Sequence, residues 1–186
     1  MSTSYPTPVY SHAGRGDFRD VYEPAEDSFL LIDALEKDAE RLQLLPCLCL
    51  EVGSGSGVVS AFLASVVGPS ALYLCTDVNP AAAQCTAKTA SCNKVSLQPV
   101  ITSLVGSTGI EAAWAGGERG REVTDRFLPV VAQLLSSRGL FYLITIAEND
   151  PEDIIRLLGK CGLRGESCLS TRAGNERLSV LRFHRS

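Results

Sequence analysis

The chain has 186 residues, of which 45% are hydrophobic, and its formal net charge is −4. This length and composition suit a single folded domain with a substantial core, and they exclude a disordered tail. The negative charge argues against a protein that binds nucleic acid mainly through its phosphates, so nucleic acid is not an expected partner.

The N-terminus lacks the basic head and apolar core of a signal peptide, and no later segment approaches about 18 consecutive apolar residues. We therefore expect an intracellular protein without a membrane span, located in the cytoplasm and, as an alternative, also in the nucleus. Residues 1–19 are rich in Gly, Ser, Pro and Tyr, which predicts a flexible surface segment and a candidate lid.

The first predicted helix covers residues 29–42, where apolar side chains recur at near-helical spacing. Acids in residues 20–28 precede it and suit a helix N-terminus. This helix is expected to precede the sheet.

An apolar run at residues 47–52 leads directly into a glycine loop at residues 53–57. The run shows no alternation of apolar and polar residues, which predicts a strand buried on both faces of a parallel sheet. The unbroken apolar residues 58–67 behind the loop predict a helix. A strand, a glycine loop and a helix in this order are typical of a nucleotide-binding turn.

The charge beside this loop favours a cationic cofactor. A dinucleotide fingerprint reads Gly-x-Gly-x-x-Gly, whereas the glycines here are Gly53, Gly55 and Gly57, and position 58 is Val. Glu51 lies just before the loop, where it would repel a pyrophosphate. The same carboxylate would attract the ammonium and sulfonium groups of S-adenosylmethionine.

A second acid follows the next predicted strand. Residues 71–76 form an apolar segment that ends in Asp77, and a carboxylate at this strand tip can accept hydrogen bonds from both ribose hydroxyls. Residues 81–92 then predict a helix, and residues 97–102 predict a third strand. The pattern so far is typical of a strand-helix-strand-helix-strand unit.

The alternation stops after the third strand, because residues 103–118 contain no apolar run able to form another one. Downstream, the pattern predicts a helix at residues 119–135, a strand at residues 140–146 and a second helix, starting with Pro, at residues 151–161. A final antiparallel hairpin is predicted from strands at residues 166–169 and 178–183 around a turn at residues 171–175.

The seven cysteines do not suggest a metal site. None forms a Cys-x-x-Cys pair, their number is odd, and only His12 and His184 could assist them. Cys47 and Cys49 lie two apart in the first strand and point to one face. Small buried apolar cysteines are therefore expected, and no metal.

Five segments together resemble the HemK-type class I methyltransferases, and in particular the eukaryotic release-factor glutamine methyltransferases. The similarity covers nearly the whole chain and is far more specific than a glycine loop. The segments are residues 20–28, 50–57, 75–80, 109–117 and 138–145.

The resemblance implies an α/β, Rossmann-like class I methyltransferase sheet with helices on both faces and a C-terminal antiparallel hairpin, in the order 3-2-1-4-5-7-6. It implies methyl transfer from S-adenosylmethionine to the side-chain amide of a glutamine in a Gly-Gly-Gln motif of the translation termination factor. Histone lysine, arsenite and DNA adenine have also been attached to such proteins as substrates. The partner implied by the family is a small zinc-containing activator subunit, bound as a heterodimer.

Four residues match the cofactor contacts of the family. By resemblance, Glu51 and Gly53 contact the methionine part, Asp77 is the ribose acid, and Ser28 stands where a cofactor-contacting Thr or Ser is usual. Catalytic residues of the family type are not found.

Other matching residues have structural alternatives. Tyr22 and Glu26 match the N-terminal motif of the family, with core packing and helix capping as equally good roles. Ile110, Trp114 and the Gly116-Gly117 turn match substrate-side or core elements, and a core role is favoured for Trp114.

The chain departs from the family pattern in two ways. Ser103 replaces an Asp that would receive the adenine amino group, so this contact is expected to be weakened or lost. The signature Asn-Pro-Pro-Tyr occurs nowhere in the sequence. Compared with the family pattern, about thirty residues are missing between Val105 and Gly106, including a helix and the central fourth strand. Such an internal loss resembles an alternatively spliced form.

Two functional hypotheses follow. The chain is a protein-glutamine methyltransferase with absent or weak activity, or it is a non-catalytic variant that binds the cofactor or the activator subunit. Asn79-Pro80 and Asn149-Asp150-Pro151 contain Asn and Pro, but they are predicted to be helix starts and not substitutes for the lost signature.

Overall fold

The computed structural model of the chain describes residues 4–45, 48–103 and 121–186. It divides into two compact units, Met1–Leu104 and Val105–Ser186. Within the described ranges, no helix combines the length and the apolar character needed to cross a bilayer.

The first unit is a parallel three-stranded sheet with helices. Its sheet has the order β1-β2-β3, and Glu51 of β1 lies beside Cys75 of β2. In chain order, the elements are α1 (Glu26–Lys37), α2 (Ala39–Gln43), β1 (Leu48–Val52), α3 (Val58–Val67), β2 (Leu72–Asp77), α4 (Pro80–Asn93) and β3 (Gln98–Ile101).

One face of this sheet packs against α3 and α4, where Tyr73 and Cys75 belong to a buried cluster. The other face of β1 is open: Leu48 is 60% exposed, and Leu50 and Val52 are each 41% exposed. The prediction that this strand is buried on both faces is therefore wrong. Its apolar sequence suits a buried strand, but the described helices that contact the sheet cover the opposite face.

The helix predicted for residues 29–42 is two helices. Helix α1 begins three residues earlier than predicted, with Glu26 and Asp27 in its first turn, where acids favour the helix dipole. It ends at Lys37, the following residue Asp38 has non-helical dihedral angles (φ −98°, ψ 10°), and α2 starts at Ala39. Asp is a poor residue for a helix interior because its side chain competes for backbone hydrogen bonds, so a break here is reasonable.

The second unit is an antiparallel three-stranded sheet with two helices among its described residues. The strand order is β4-β6-β5. The elements are α5 (Glu122–Leu134), β4 (Leu140–Ile146), α6 (Pro151–Lys160), β5 (Leu163–Ala173) and β6 (Glu176–Arg185). Its core is a cluster of seven buried residues: Leu128, Val131, Ile154, Leu158, Leu163, Leu181 and Phe183.

The C-terminal antiparallel hairpin is confirmed, but its strands are longer than predicted. Residues 171–173, predicted as part of the turn, continue β5, so that Thr171 pairs with Leu178. The turn is reduced to Gly174 and Asn175, and Gly174 has a φ of +61°. A bulge between Ser167 and Leu169 disturbs the period-two pattern from which the strand ends were predicted.

The strand order agrees with the predicted class I methyltransferase sheet with its fourth strand removed. The parallel sheet corresponds to family strands 3-2-1, and the antiparallel sheet corresponds to 5-7-6. In the family order, the fourth strand stands between these two sets of strands.

Candidate cofactor site

The glycine loop after β1 folds back onto the end of β2. The amides of Gly53 and Ser54 both donate to the carbonyl oxygen of Thr76, at 2.8 and 3.0 Å. The Gly57 amide then donates to the carbonyl oxygen of Ser54 at 2.7 Å, which closes a tight turn in front of α3. The loop is therefore fixed at the carboxyl end of the parallel strands, where ligands bind in open α/β sheets.

Helix α4 supports the same loop with two fully buried threonines. The Thr86 hydroxyl donates to the Gly55 carbonyl at 3.3 Å, and the Thr89 hydroxyl donates to the Ser56 carbonyl at 2.6 Å. Gly57 has a φ of +77°, and an added Cβ would lie 2.9 Å from the Thr86 backbone. A side chain at position 57 would therefore be strained and would push α4 away from the loop.

Asp77 links the loop to the start of α4. Its Oδ2 accepts the Gly55 amide at 2.9 Å, and its Oδ1 accepts the Asn79 amide at 2.9 Å. An ionised carboxylate can accept about four hydrogen bonds, so each oxygen retains acceptor capacity. Asp77 can therefore hold the loop and still receive two hydroxyl groups.

Glu51 is half-buried and is held by one residue of α3. The amide of Ser60 donates to its Oε2 at 3.2 Å, and the Ser60 hydroxyl donates to the same oxygen through a short hydrogen bond. Burial, opposed by the two Ser60 hydrogen bonds and assisted by the negative charge of Asp77, raises the pKa of Glu51 to about 7. Near neutral pH, the carboxyl group is thus poised between its neutral and charged forms.

The residues present fit S-adenosylmethionine. A Cβ added at Gly53 or Gly55 would meet nothing within 4 Å, so open space lies in front of the loop. Glu51 and Asp77 are close enough for the charge of one to affect the pKa of the other. Such a pair of acceptors suits hydroxyl groups and a cation and disfavours a pyrophosphate. Glu51 and Gly53 would hold the methionine part, and Asp77 would hold the ribose.

Ser28, the fourth predicted cofactor residue, lies in the first turn of α1. Its amide and its hydroxyl both donate to Asp27 Oδ1, at 2.7 and 3.4 Å. The Tyr22 hydroxyl donates to the same oxygen at 3.3 Å, and Tyr22 is 44% exposed, which does not support a core role for it. Glu26 is exposed at the start of α1. Ser28 and Tyr22 are thus both hydrogen-bonded to Asp27. The glycine loop and Asp77 are joined to each other by direct hydrogen bonds.

Ser103 is exposed and lies two residues after β3. The amide of its neighbour Thr102 donates to the Asp77 carbonyl at 2.9 Å, so this strand end reaches the candidate site. The remaining predicted positions, Ile110, Trp114 and Gly116-Gly117, lie outside the described residues, as does the proposed junction between residues 105 and 106.

Three supporting residues and one contact of a fourth were not predicted from the sequence. Ser60 holds Glu51, and Thr86 and Thr89 hold the loop. The unpredicted contact is that of Asn79 Nδ2, which donates to the Asp20 carbonyl at 3.3 Å. The description of residues 58–67 as unbroken apolar residues passes over Ser60, although this serine interrupts the run nine positions after Glu51 and could have been noticed there. The predicted role of Asn79 at a helix start is confirmed. Its side chain accepts a hydrogen bond from the Ala81 amide, and Pro80 is the first residue of α4.

Two relatives resemble this chain over nearly its whole length. Methyltransferase HEMK2 of Mus musculus is 56% identical over 211 residues, which cover 98% of this chain and 98% of that protein. The eRF1 methyltransferase catalytic subunit mtq2 of Schizosaccharomyces pombe is 32% identical over 220 residues, covering 96% of this chain and 95% of that protein. No protein-family model matches the chain.

Among solved structures, the E. cuniculi Mtq2–Trm112 complex shares the fold. This complex is described as responsible for methylation of the eRF1 translation termination factor. The match has a TM-score of 0.69 at 24% identity and covers 90% of this chain and 99% of that chain.

The alignment with the mouse relative also measures what this chain lacks. Because 98% of 186 residues is about 182 and the alignment spans 211 positions, about 29 positions of the relative have no counterpart here. This agrees with the roughly thirty residues missing from the family pattern.

The cofactor of these methyltransferases is S-adenosylmethionine. The chain belongs to the HemK-type methyltransferase family, in the group that includes the eukaryotic release-factor glutamine methyltransferases.

Proposed function

We propose that this chain is a form of the release-factor glutamine methyltransferase that binds S-adenosylmethionine weakly and transfers no methyl group to a termination factor. The family relationship supports the reaction type, and the eRF1 substrate is the one named for the S. pombe and E. cuniculi proteins. The loss of transfer is our inference for this chain.

The observation that carries the binding half of the proposal is the set of contacts around Asp77. Gly55 and Asn79 orient this carboxylate, and Ser60 orients Glu51, within one compact unit that ends before the missing segment. A site already held by its own backbone needs little rearrangement to accept a ligand. Weak binding is expected because Ser103 replaces the adenine acid.

The loss of transfer follows from the chemistry of the amide substrate. A planar amide nitrogen is a poor nucleophile, so an Asn side chain and a backbone carbonyl must accept its hydrogens and orient it for in-line attack on the methyl group. The family uses Asn-Pro-Pro-Tyr for this purpose, and the sequence contains no such segment. Asn79 and Asp150 do not replace it, because each caps a helix whose first residue is proline.

A second proposed function is competition for the activator subunit. The E. cuniculi relative is seen in complex with Trm112, which supports a small partner subunit for this chain as well. A chain that binds this partner without transferring methyl groups would withdraw it from the active enzyme. The zinc content of the partner rests on the family resemblance alone.

Calorimetric titration tests the binding half. We expect heat from S-adenosylmethionine that saturates and is absent with NADH. Tight NADH binding would overturn the assignment of the glycine loop. Transfer of a radiolabelled methyl group to a termination factor, with and without the activator subunit, separates an enzyme from a non-catalytic binder.

A further inference from the structure

The N-terminal segment, predicted as a flexible surface loop, follows helix α4 from one end to the other. Val9 exchanges two hydrogen bonds with the Asn93 side chain: its amide donates to Oδ1 at 2.7 Å, and Nδ2 donates to its carbonyl at 2.9 Å. Twelve residues further along the chain, the Val21 side chain is 3% exposed. We call residues 9–21 the strap.

Apolar contacts hold the middle of the strap. Ala13 and Val21 form a buried cluster with Ala82 and Cys85 of α4, and Phe18 packs against it. The residues of α4, with its capping residue Asn79, that meet the strap recur at intervals of three or four positions, which places them on one face of the helix. They are Asn79, Ala82, Cys85, Thr89 and Asn93.

A short relay connects the strap to the glycine loop. The Thr89 hydroxyl has one hydrogen, and it donates this hydrogen to the Ser56 carbonyl at 2.6 Å. His12 Nε2 lies 2.8 Å from the same hydroxyl oxygen, so Nε2 must carry a proton and donate it. The relay therefore runs from the His12 ring through Thr89 to the backbone of the loop.

A second link joins the other end of the strap to Asp77. Asn79 Nδ2 donates to the Asp20 carbonyl at 3.3 Å, while the Asn79 amide donates to Asp77 Oδ1 at 2.9 Å. The strap thus reaches both sides of the candidate cofactor site through residues of α4. The first link uses none of the residues that contact the cofactor by resemblance, whereas the second link ends on Asp77, which is one of them.

We propose that the strap is a positioning element of the cofactor site and that His12, Thr89 and Asn93 are positioning residues. With the strap docked, α4 holds the Ser56 carbonyl and the Asp77 carboxylate in place. With the strap released, the glycine loop loosens and the cofactor binds less tightly. The cofactor part of this proposal rests on the proposed function, but the coupling between strap and loop does not.

Hydrogen exchange tests the coupling without any cofactor. The variants Asn93→Ala and His12→Phe each remove a strap contact and leave the loop sequence unchanged. We expect the Gly55 amide to exchange about three- to tenfold faster in both, which is the effect of losing roughly one net hydrogen bond. Tyr5→Phe is the control, because the Tyr5 hydroxyl accepts from Gln43 of α2 and not from α4; its Gly55 exchange should match wild type.

Titration with S-adenosylmethionine tests the consequence. Thr89→Val should weaken binding about three- to tenfold, whereas Thr89→Ser, which keeps the hydroxyl, should stay within about twofold of wild type. The double variant Asn93→Ala, Thr89→Val should lose less than the sum of the single losses, because both act through one relay. Circular dichroism confirms that each variant is folded.

The outcomes separate the two proposals. Faster exchange of the Val9 amide in Asn93→Ala, with Gly55 exchange unchanged, would overturn the coupling and leave the strap a packing element. Failure of the wild-type chain to bind S-adenosylmethionine would overturn the proposed function, while the exchange comparison would still decide the role of the strap.

Discussion

The Glu51 carboxyl group lies in a half-buried position with Asp77 as its charged neighbour, and Ser60 is the residue that stabilises its ionised form. These opposing effects leave a pKa of about 7, near the pH at which the protein would work. A cation placed beside this carboxyl group would favour the ionised form, so ligand binding and proton release are linked at this residue.

The raised pKa of Glu51 predicts a pH dependence of stability. The unfolded chain releases this proton near its ordinary pKa of about 4.3, whereas the folded chain keeps it up to about pH 7. Between these values the folded state binds more protons, so the free energy of unfolding should fall as the pH rises through this window and level off above it. Urea titrations at several pH values should show this decline in the wild type and a flatter profile in Glu51→Gln. Glu40→Gln, an exposed acid of α2, is the control, and a wild-type slope equal to that of Glu51→Gln would contradict the account.

Asp77 should dominate cofactor affinity. Asp77→Ala removes two possible ribose hydrogen bonds and also leaves the Gly55 and Asn79 amides without their acceptor. We expect a loss of roughly 1.5–3 kcal/mol in the binding free energy, measured by calorimetry. Glu40→Ala should bind as wild type does. Unchanged binding in Asp77→Ala would show that this carboxylate is not the ribose acceptor.

At the scale of elements, steric contact within the C-terminal sheet gives a prediction that does not depend on function. An added Cβ at Gly165 of β5 would overlap the ring of Phe183, which is fully buried. Gly165→Ala should therefore destabilise the chain by about 1–3 kcal/mol, as overpacked cores do. Gly159→Ala in α6 meets nothing within 4 Å and should be neutral or stabilising by up to about 1 kcal/mol. Equal thermal midpoints for the two variants would contradict this packing.

Elements with one strong signal were predicted closely from the sequence. Helix α3 and strand β4 have the predicted bounds, because each is an apolar run with clear ends. The break at Asp38 was not predicted, because the apolar spacing of the predicted helix continues past it to Ala39. The long β5 was not predicted, because its pairing with β6 outweighs the local preference of residues 171–173. The exposure of one face of β1 was not predicted either. The apolar composition of a strand indicates that it can be buried, but it does not show which elements cover each face.

The candidate site was predictable in part for a similar reason. Glu51, Gly53 and Asp77 follow from one rule, that parallel strands end at the same edge of a sheet. Their supports could not be derived this way. His12 and Thr89 are 77 positions apart in sequence, and no local pattern pairs them.

At the scale of the whole molecule, the residues that the structure describes form three parallel strands in the first unit and three antiparallel strands in the second, where the family pattern has seven strands. Strand β1 is one edge of the parallel sheet, and β4 is one edge of the antiparallel sheet. A central strand with about five buried apolar side chains would contribute roughly 7–15 kcal/mol, comparable to the net stability of a typical domain, about 5–15 kcal/mol. The exposed face of β1, with Leu48, Leu50 and Val52, is consistent with such a loss.

We therefore expect a marginally stable or aggregation-prone chain. Its exposed strand edges and apolar sheet face should bind a hydrophobic dye. Thermal unfolding followed by calorimetry, with the mouse relative as a control, checks this expectation. A single sharp and reversible transition above about 55 °C, within the usual mesophile range, would mean that the missing strand matters less than proposed.

The central claim, that the chain has kept cofactor binding and lost methyl transfer, is tested most directly by one measurement. Labelled methyl groups transferred to a termination factor are counted, with the activator subunit present, for this chain and for a version with the absent segment restored between Val105 and Gly106. We predict transfer only by the restored version, although both bind S-adenosylmethionine. Turnover by the present chain that approaches the restored version would contradict the claim and show that another Asn or backbone carbonyl orients the substrate amide.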